Sequence, residues 1–133
     1  MDINPSMPPA TIIPEIPYAD VQKAVEWLCR TFGFRERLRI GTHRVQMQFG
    51  EGSLVVTKGG NSNPSFSIMV RVEDVNSHYE QVKKSGGKVL SEPTDYPYGE
   101  RQYVVEDPGG HRWTFSQTVA DVDPSTWGGQ FFD

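Results

Sequence analysis

The sequence predicts an α+β fold made of two modules, each with the element order β-α-β-β-β. Three observations carry this prediction: strand-like alternation of apolar and polar residues, two helices with apolar residues at helical spacing, and the recurrence of that order in both halves. The chain has 133 residues, of which 36% are hydrophobic and 23% charged, as in an ordinary globular domain. Identity between the two halves is slight, so the repeat is one of pattern.

The first module is expected at about residues 11–58. Its opening strand, "TIIPEI", contains Pro14, which confines the strand to a sheet edge or a bulge. Asp20 then caps a helix, "VQKAVEWLCRTFGF", and Gly33 provides its C-terminal stop. Three strands follow at "FRERLRI", "HRVQMQFG" and "SLVVTK", and together they predict a meander with one buried face.

The second module is expected at about residues 65–117. It begins with the strand "FSIMVRV", after which Asp74 caps the helix "VNSHYEQVKKSGG". Three more strands are predicted at about "KVLSEP", "RQYVVED" and "HRWTFSQ". The order of the first module is thereby repeated.

The two ends of the chain differ from the modules. Residues 1–10 carry three prolines and few large apolar groups, so we expect a flexible lead-in. Residues 118–133 form a polar, glycine-rich tail that nevertheless contains Trp127, Phe131 and Phe132. We expect these aromatic residues to pack on the domain or on a partner subunit.

Composition excludes several functional classes. The formal net charge of -4 argues against a nucleic-acid-binding protein, which needs an excess of Lys and Arg. No apolar run approaches the roughly 18 residues of a membrane span, and the N-terminus lacks the pattern of a signal peptide. The single cysteine, Cys29, cannot form an internal disulfide and fits a reducing cytoplasm.

Three motifs occur in a fixed order along residues 11–117: "DVQKAVEWLCRTFGF", "VEDVNSHYEQVKKSGG" and "DPGGHRWTF". In this order they resemble the vicinal oxygen chelate superfamily, which includes glyoxalase I, extradiol dioxygenases and bleomycin-resistance proteins. The similarity is greatest to a bacterial glyoxalase-like subgroup. The resemblance implies that the strands curl into an antiparallel cup with the helices packed outside, and that two copies form a homodimer.

The resemblance also identifies where a metal would be bound. Metal-dependent members take one ligand from the first and one from the last strand of each module, which corresponds here to Ile13, a position near Val56, Ser67 and Thr114. None of these is a His or a carboxylate, the ligands that Zn, Fe, Mn or Ni sites of this kind require. We therefore expect no metal and no cofactor.

The alternation of the strands predicts one polar sheet face that is suited to a small molecule. Arginines bind carboxylate, phosphate or carbonyl groups, and Met and Tyr add apolar contact. By the same alternation, Trp113 and Phe115 pack under a helix. The predicted ligand-binding residues are Glu15, Arg44, Gln46, Gln48, Ser67, Met69, Arg71, Arg101, Tyr103, Arg112, Thr114 and Ser116.

Catalytic signals are weak. Glu15 is the best candidate for a general base, and no nucleophile motif is present. His111 follows the turn "DPGG" and is expected to bond to the backbone of that turn, whereas His78 is expected to be a solvated or rim residue and His43 to be exposed.

These observations favour a metal-independent small-molecule binding protein, of which resistance-type sequestration of a ligand is one form. Two alternatives stay open. One is a glyoxalase-like lyase or isomerase with a non-standard metal site. The other is a dimeric structural or regulatory domain that binds no ligand, because one face of an antiparallel sheet is often merely solvated.

Overall fold

The structure is a computed structural model that describes residues 4–59 and 67–131. It consists of two compact units, Met1–Asn63 and Pro64–Asp133. Each unit contains one four-stranded sheet and one principal helix. The predicted tail residue Phe132 lies outside the described residues.

The first unit contains a sheet with the strand order β1-β4-β3-β2. Its elements are β1 (Glu15–Tyr18), α1 (Val21–Trp27), a π-helical continuation of α1 (Leu28–Phe32), β2 (Arg35–Ile40), β3 (Arg44–Phe49) and β4 (Gly52–Lys58). The opening strand was predicted over 11–16 and begins later. Pro14 accepts a hydrogen bond from the Val55 N–H at 2.8 Å but has no N–H to donate, so regular pairing starts after it.

Capping and an apolar stripe explain α1. The Asp20 carboxylate accepts a hydrogen bond from the Lys23 N–H at 3.0 Å, which satisfies one of the free donors of the first turn. Gly33, with a φ of 85°, ends the helical segment in the left-handed conformation that glycine adopts without steric cost. The helix packs on β3 and β4. The buried apolar residues of this layer are Ile16, Val21, Ala24, Val25, Leu28, Phe32, Val45, Met47, Leu54 and Val56.

The second unit repeats this arrangement with the strand order β5-β8-β7-β6. Its elements are β5 (Ser67–Arg71), α2 (Val75–Lys84), β6 (Lys88–Asp95), β7 (Glu100–Glu106) and β8 (Arg112–Thr118). The Asp74 carboxylate accepts hydrogen bonds from both the N–H and the hydroxyl of Ser77, and so begins α2. The residues buried between α2 and the sheet, each 0% exposed, are Val75 and Val82 of the helix and Tyr103, Val105, Trp113 and Phe115 of the strands.

The prediction of two β-α-β-β-β modules in an α+β fold is confirmed, with one correction. The sheets are mixed rather than wholly antiparallel, because β1 pairs with β4, and β5 with β8, in parallel. The physical reason is the helix. It carries the chain back across the sheet, so the strand after it runs in the direction of the first strand, and two further reversals leave the fourth strand parallel to the first.

The tail after β8 folds back onto the second unit. The N–H groups of Val119 and Ala120 donate to the Gly99 carbonyl at 2.9 and 3.2 Å. A short 3₁₀ helix, Pro124–Trp127, then brings the Trp127 ring into a T-shaped contact with the Tyr98 ring, with 5.6 Å between centroids. In the described ranges, no helix is long and apolar enough to cross a membrane.

Candidate functional site

The predicted ligand-binding residues divide between the two units. Four of them lie on the face of the first sheet that is turned away from α1. We call this the first-sheet face, and its predicted members are Glu15, Arg44, Gln46 and Gln48. They share one face because Gln46 and Glu15 both pair with Val55, whereas the neighbouring Val45 pairs with Val56 on the helix side.

Polar side chains on the first-sheet face are held by partners. The Arg44 guanidinium forms an ion pair with the Glu15 carboxylate. The Glu15 carboxylate is therefore engaged by Arg44 and does not stand as an isolated base. The Gln48 amide donates to the Gly50 carbonyl at 3.2 Å.

The second-sheet face is the side of β5, β8 and β7 that is turned away from α2. Its members are Ser67, Met69 and Arg71 of β5, Arg112, Thr114 and Ser116 of β8, and Glu100, Gln102 and Val104 of β7. The six residues from β5 and β8 were all assigned to one face by their alternation in the sequence. Cross-strand pairing places Ser67 beside Arg112, Met69 beside Thr114 and Arg71 beside Ser116.

Two predicted residues, Arg101 and Tyr103, are on the opposite face. Tyr103 is 0% exposed under α2, where its hydroxyl lies 2.5 Å from Nδ1 of His78, and burial raises the pKa of its phenol. Arg101 forms an ion pair of 2.6 Å with Asp95, which lowers the pKa of that carboxyl. The assignment was wrong because Tyr103, Val104 and Val105 are all apolar, so alternation does not reveal which of them faces the helix.

A directional hydrogen-bond network crosses the second-sheet face. The Tyr98 hydroxyl donates to Oε1 of Gln102 at 3.0 Å, and the Gln102 amide donates to the Ser116 hydroxyl at 3.0 Å. The Ser116 hydroxyl in turn donates to Oε1 of Glu100 at 2.6 Å. We call these four residues the Gln102 network. Each hydrogen bond of this network points the same way, from the Tyr98 phenol toward the Glu100 carboxylate. Hydrogen bonds arranged in such a chain strengthen one another.

Glu100 terminates the Gln102 network as an anion. Burial alone would raise its pKa, but hydrogen bonds from Ser116 and Thr118 and the positive charge of Arg71 outweigh burial and lower the pKa below its ordinary value. The Arg71 guanidinium lies 3.9 Å from Oε1 of Glu100, whose side chain is only 17% exposed. Glu100 is therefore a permanent acceptor at neutral pH and a weak general base.

The other end of the Gln102 network is aromatic. The rings of Tyr96 and Tyr98 are stacked, with centroids 5.4 Å apart and an interplanar angle of 8°. Trp127, 45% exposed, approaches Tyr98 edge-on. Burial, and after it the charges of Tyr96 and Glu100, raise the pKa of Tyr98, so its phenol stays a protonated donor. Met69, at 65% exposure, adds an apolar surface to the same sheet face.

The histidines have structural surroundings. His111 is 1% exposed, and both its N–H and its Nδ1 contact the buried Asp107 carboxylate, at 2.9 and 3.0 Å. The structural role predicted for His111 in this turn is confirmed, but the partner of its ring is the Asp107 side chain rather than the turn backbone. His78, expected to be a solvated or rim residue, is half-buried, and its ring centroid lies 4.0 Å from that of Phe115. His43 is exposed, as expected.

The residues at the superfamily's metal positions do not fit a metal. Thr114 lies between Met69 and Val104, and Ser67 lies beside Arg112. Val56 is fully buried on the helix side of the first sheet, so the positions of β4 next to it on the first-sheet face are Val55 and Thr57. Over the described part of the chain, no three His, Cys, Asp or Glu side chains converge as metal ligands do.

Sequence reasoning missed Glu100, Gln102 and Tyr98. Their polar side chains alternate at 98, 100 and 102, and this period-two pattern was the available signal. It was obscured because the strand was expected to begin at 101, whereas β7 begins at Glu100. The second-sheet face thus has a carboxylate at Glu100, and a further one at Glu106 beside Arg112, whereas the sequence pointed only to Glu15.

The comparison with protein families agrees with the fold and with the sequence motifs. The model of the Glyoxalase/Bleomycin resistance protein/Dioxygenase superfamily matches residues 11–115. The chain belongs to this superfamily.

Solved structures of the superfamily's fold resemble the chain over most of its length. TioX from Micromonospora sp. ML1 is 32% identical, with 86% of this chain and 100% of TioX covered at a TM-score of 0.71. TnmS3, described as an antibiotic binding protein from Streptomyces sp. CB03234, is 25% identical, with 80% of this chain and 93% of TnmS3 covered at a TM-score of 0.68.

Curated relatives come from mycobacteria. An uncharacterized protein of Mycobacterium bovis is 31% identical over 78 residues, which cover 59% of this chain and 49% of the relative. An uncharacterized protein of Mycobacterium tuberculosis has the same identity over the same length, covering 44% of the relative. The match therefore spans about half the length of these relatives or less.

Proposed function

We propose that this protein binds a small molecule on its second-sheet face, without a metal and without transforming it. The observation that supports this proposal is the Gln102 network, with its aromatic end at Tyr98 and its anionic end at Glu100. The Gln102 amide and the Ser116 hydroxyl are buried and need hydrogen-bond partners in any case, but here these partners form one chain that links the aromatic ring of Tyr98 to the Glu100 carboxylate. Small-molecule sites instead combine apolar surface with a few oriented polar groups.

The chemistry of the face indicates the class of ligand. Tyr96, Tyr98 and Trp127 offer ring faces and edges to a planar apolar group. Arg71 and Arg112 offer charged donors to carbonyl or anionic oxygens. A ligand with a planar ring system and a carbonyl-rich edge would contact both the aromatic rings and the arginines. The description of TnmS3 as an antibiotic binding protein supports antibiotics as the first compounds to test.

Catalysis is disfavoured by the state of the acidic groups. A general base at neutral pH needs a pKa near 7, whereas Glu100 is held as an anion with a lowered pKa. Residues at the superfamily's metal positions, among them Ser67 and Thr114, supply neither imidazole nor carboxylate. Binding without turnover is the role that these residues support best.

The test is a thermal-shift screen with bleomycin and the planar anthraquinone daunorubicin as probes, followed by calorimetry in the presence of EDTA. A compound at 100 times its Kd should add about 2.7 kcal/mol to the free energy of unfolding. Mass spectrometry of the recovered compound then shows whether it is unchanged. Binding that EDTA abolishes, or a chemically altered product, would contradict the proposal.

The homodimer that the family resemblance implies belongs to the same proposal. Light scattering during size-exclusion chromatography gives the mass directly, to be compared with 15.0 kDa for one chain. Measuring this mass with and without the ligand found in the screen shows whether dimer formation depends on ligand binding.

A further inference from the structure

The residues before β1 are hydrogen-bonded to the first-sheet face. The Arg37 guanidinium donates to the Pro5 carbonyl at 2.9 Å, and the Gln46 amide donates to the Ser6 carbonyl at 2.7 Å. Pro8 is buried, although the next residue, Pro9, is exposed. Two successive carbonyls of one turn, closed by the Met7 N–H donating to the Asn4 carbonyl, are thus held by two side chains of the sheet.

These two donors are coupled to each other. A second nitrogen of the Arg37 guanidinium donates to Oε1 of Gln46. This bond fixes the orientation of the Gln46 amide, because only its nitrogen is then left to face Ser6. Gln46 is 3% exposed, so the amide is oriented in a nearly water-free position. The pair is therefore a preorganised two-point donor.

The segment is not forced onto the sheet by a short connection. Pro14 lies at the β1 edge, where it pairs with Val55, and Arg37 belongs to β2 at the other edge. Three strand spacings of about 4.8 Å separate these edges. The residues between Ser6 and Pro14 reach further than this at about 3.3 Å each. The contacts to Arg37 and Gln46 accordingly hold the segment in place.

We propose that Arg37 and Gln46 form a second ligand site, for peptide-like molecules with two successive amide carbonyls, and that residues 4–8 occupy it as an intramolecular strap. The ligand class follows from the donors. Both side chains offer N–H groups, and the carbonyl oxygen of Gln46 is already engaged by Arg37. The buried Pro8 adds an apolar contact. This site lies in the first unit and does not depend on the function proposed for the second-sheet face.

The strap competes with any free ligand. A short tether holds the strap at an effective concentration of about 1 mM, so if the strap itself binds with an intrinsic Kd of about 10 μM, a free ligand binds roughly 100-fold more weakly while the strap is seated. Detaching the strap should expose the site without altering the donors. Pro8→Asp does this by placing a charge at a buried position, and Pro9→Asp, at the exposed neighbour, is the matched control.

The experiment uses full-length protein and the peptide acetyl-Asn-Pro-Ser-Met-Pro-Pro-amide as the probe, with binding measured by calorimetry. The Pro8→Asp protein should bind the peptide at least 10-fold more tightly than the wild type or Pro9→Asp. Adding Gln46→Leu to Pro8→Asp should abolish that gain. Equal affinity in Pro8→Asp and Pro9→Asp, or a gain that survives Gln46→Leu, would overturn the proposal.

A second measurement covers the case in which Pro8→Asp does not fold. The Met7 N–H is hydrogen-bonded to the Asn4 carbonyl within the strap, so its hydrogen exchange reports whether the strap is seated. Gln46→Leu should accelerate exchange at Met7 at least 10-fold, while Gln48→Leu on the same face should not. Unchanged exchange in Gln46→Leu would refute the strap.

Discussion

Gln102 donates its side-chain amide to the Ser116 hydroxyl across the β7–β8 pair, at 3.0 Å, in the middle of the second-sheet face. Both residues are buried, at 8% and 2% exposure. The amide also receives the Tyr98 hydroxyl on its oxygen, so both ends of the Gln102 side chain are engaged. Its orientation is fixed before a ligand arrives, which is the condition for low ordering cost on binding.

Ligand affinity should therefore depend on Gln102 and not on its neighbour in the sequence. Gln102→Leu keeps the side-chain volume but breaks the network between Tyr98 and Ser116. We expect it to weaken binding of the ligand found in the screen by roughly 10-fold, or about 1.4 kcal/mol, because the Tyr98 hydroxyl loses the acceptor that orients it, and one oriented hydrogen bond is worth about that much. Calorimetry measures the effect.

Tyr103→Phe provides the comparison, since Tyr103 lies on the opposite face. Removing its hydroxyl deletes the contact with His78 and should reduce the free energy of unfolding by about 1 kcal/mol while leaving affinity unchanged. If Tyr103→Phe weakened binding as strongly as Gln102→Leu, the second-sheet face would not be the site.

The Glu100 carboxylate should make stability depend on pH in the acid range. Its pKa is lower in the folded chain than its ordinary value of 4.5. A lowered pKa means that Glu100 stabilises the fold above pH 4.5, and that this contribution is lost as the pH falls through the folded value. The difference in free energy of unfolding between wild type and Glu100→Gln should be constant from pH 7 to 6 and shrink between pH 5 and 3.

Urea unfolding at these pH values checks this expectation. Glu51→Gln, at an exposed position of the turn between β3 and β4, is the control and should give no comparable trend. A wild-type advantage over Glu100→Gln that grew on acidification would have the wrong sign and would contradict the described hydrogen bonds to Ser116 and Thr118.

Alternation in the sequence located one face of each sheet but failed where it was interrupted. Val45, Met47 and Phe49 alternate with polar residues, and this predicted the first-sheet face correctly. In β7, Val104 and Val105 are adjacent apolar residues, so the sequence does not show which of them faces the helix. The pairing of Tyr103 with Phe115 in the structure decides it. Register is a long-range property that one strand alone does not encode.

The networks around Gln102 and Asp107 could not be predicted either, since each depends on contacts between strands. The Asp-Pro-Gly-Gly turn was recognised, and so was the turn role of His111. The position of Trp113, whose indole N–H reaches the Asp107 carboxylate at 2.9 Å, depends on the pairing of β7 with β8. Likewise, the contact of the His78 ring with Phe115 follows from the rotation of α2 on the sheet rather than from the polar neighbours of His78 in the sequence.

Gly99 should tolerate a side chain less well than another glycine of the same conformation. Its φ is 83°, and an added Cβ would lie 2.4 Å from the Ala120 carbonyl oxygen and 3.0 Å from Cγ2 of Val122. Gly110 has a φ of 84° and no atom within 4 Å of such a Cβ. Both alanine variants incur the left-handed cost of about 1–2 kcal/mol, but only Gly99→Ala must also displace the backbone of the tail.

We therefore expect Gly99→Ala to lose about 2 kcal/mol more of the free energy of unfolding than Gly110→Ala, measured by urea denaturation, because the displaced Ala120 also breaks its hydrogen bond to Gly99. Equal losses in the two variants would show that the contact between the tail and Gly99 does not contribute to stability.

Asp107 should be the most sensitive polar residue of the second unit. It is 3% exposed, and its carboxylate accepts from the N–H groups of Gly109 and His111 and from the indole of Trp113, each at 2.9 Å, as well as contacting Nδ1 of His111. In Asp107→Asn, one of the two carboxylate oxygens becomes an NH₂ group. A donor then faces a donor at a buried position, and the charge that strengthens the other bonds is removed.

The expected loss is about 3 kcal/mol of the free energy of unfolding, or roughly 10 °C in Tm for a domain of this size. Urea unfolding followed by tryptophan fluorescence measures it. Asp121→Asn, at an exposed position in the tail, makes the same chemical change and should cost less than 0.5 kcal/mol, within the range of about ±0.5 kcal/mol usual for surface substitutions. A similar small loss in Asp107→Asn would mean that the turn from Asp107 to His111 is held by its backbone alone, and that the carboxylate adds nothing to its stability.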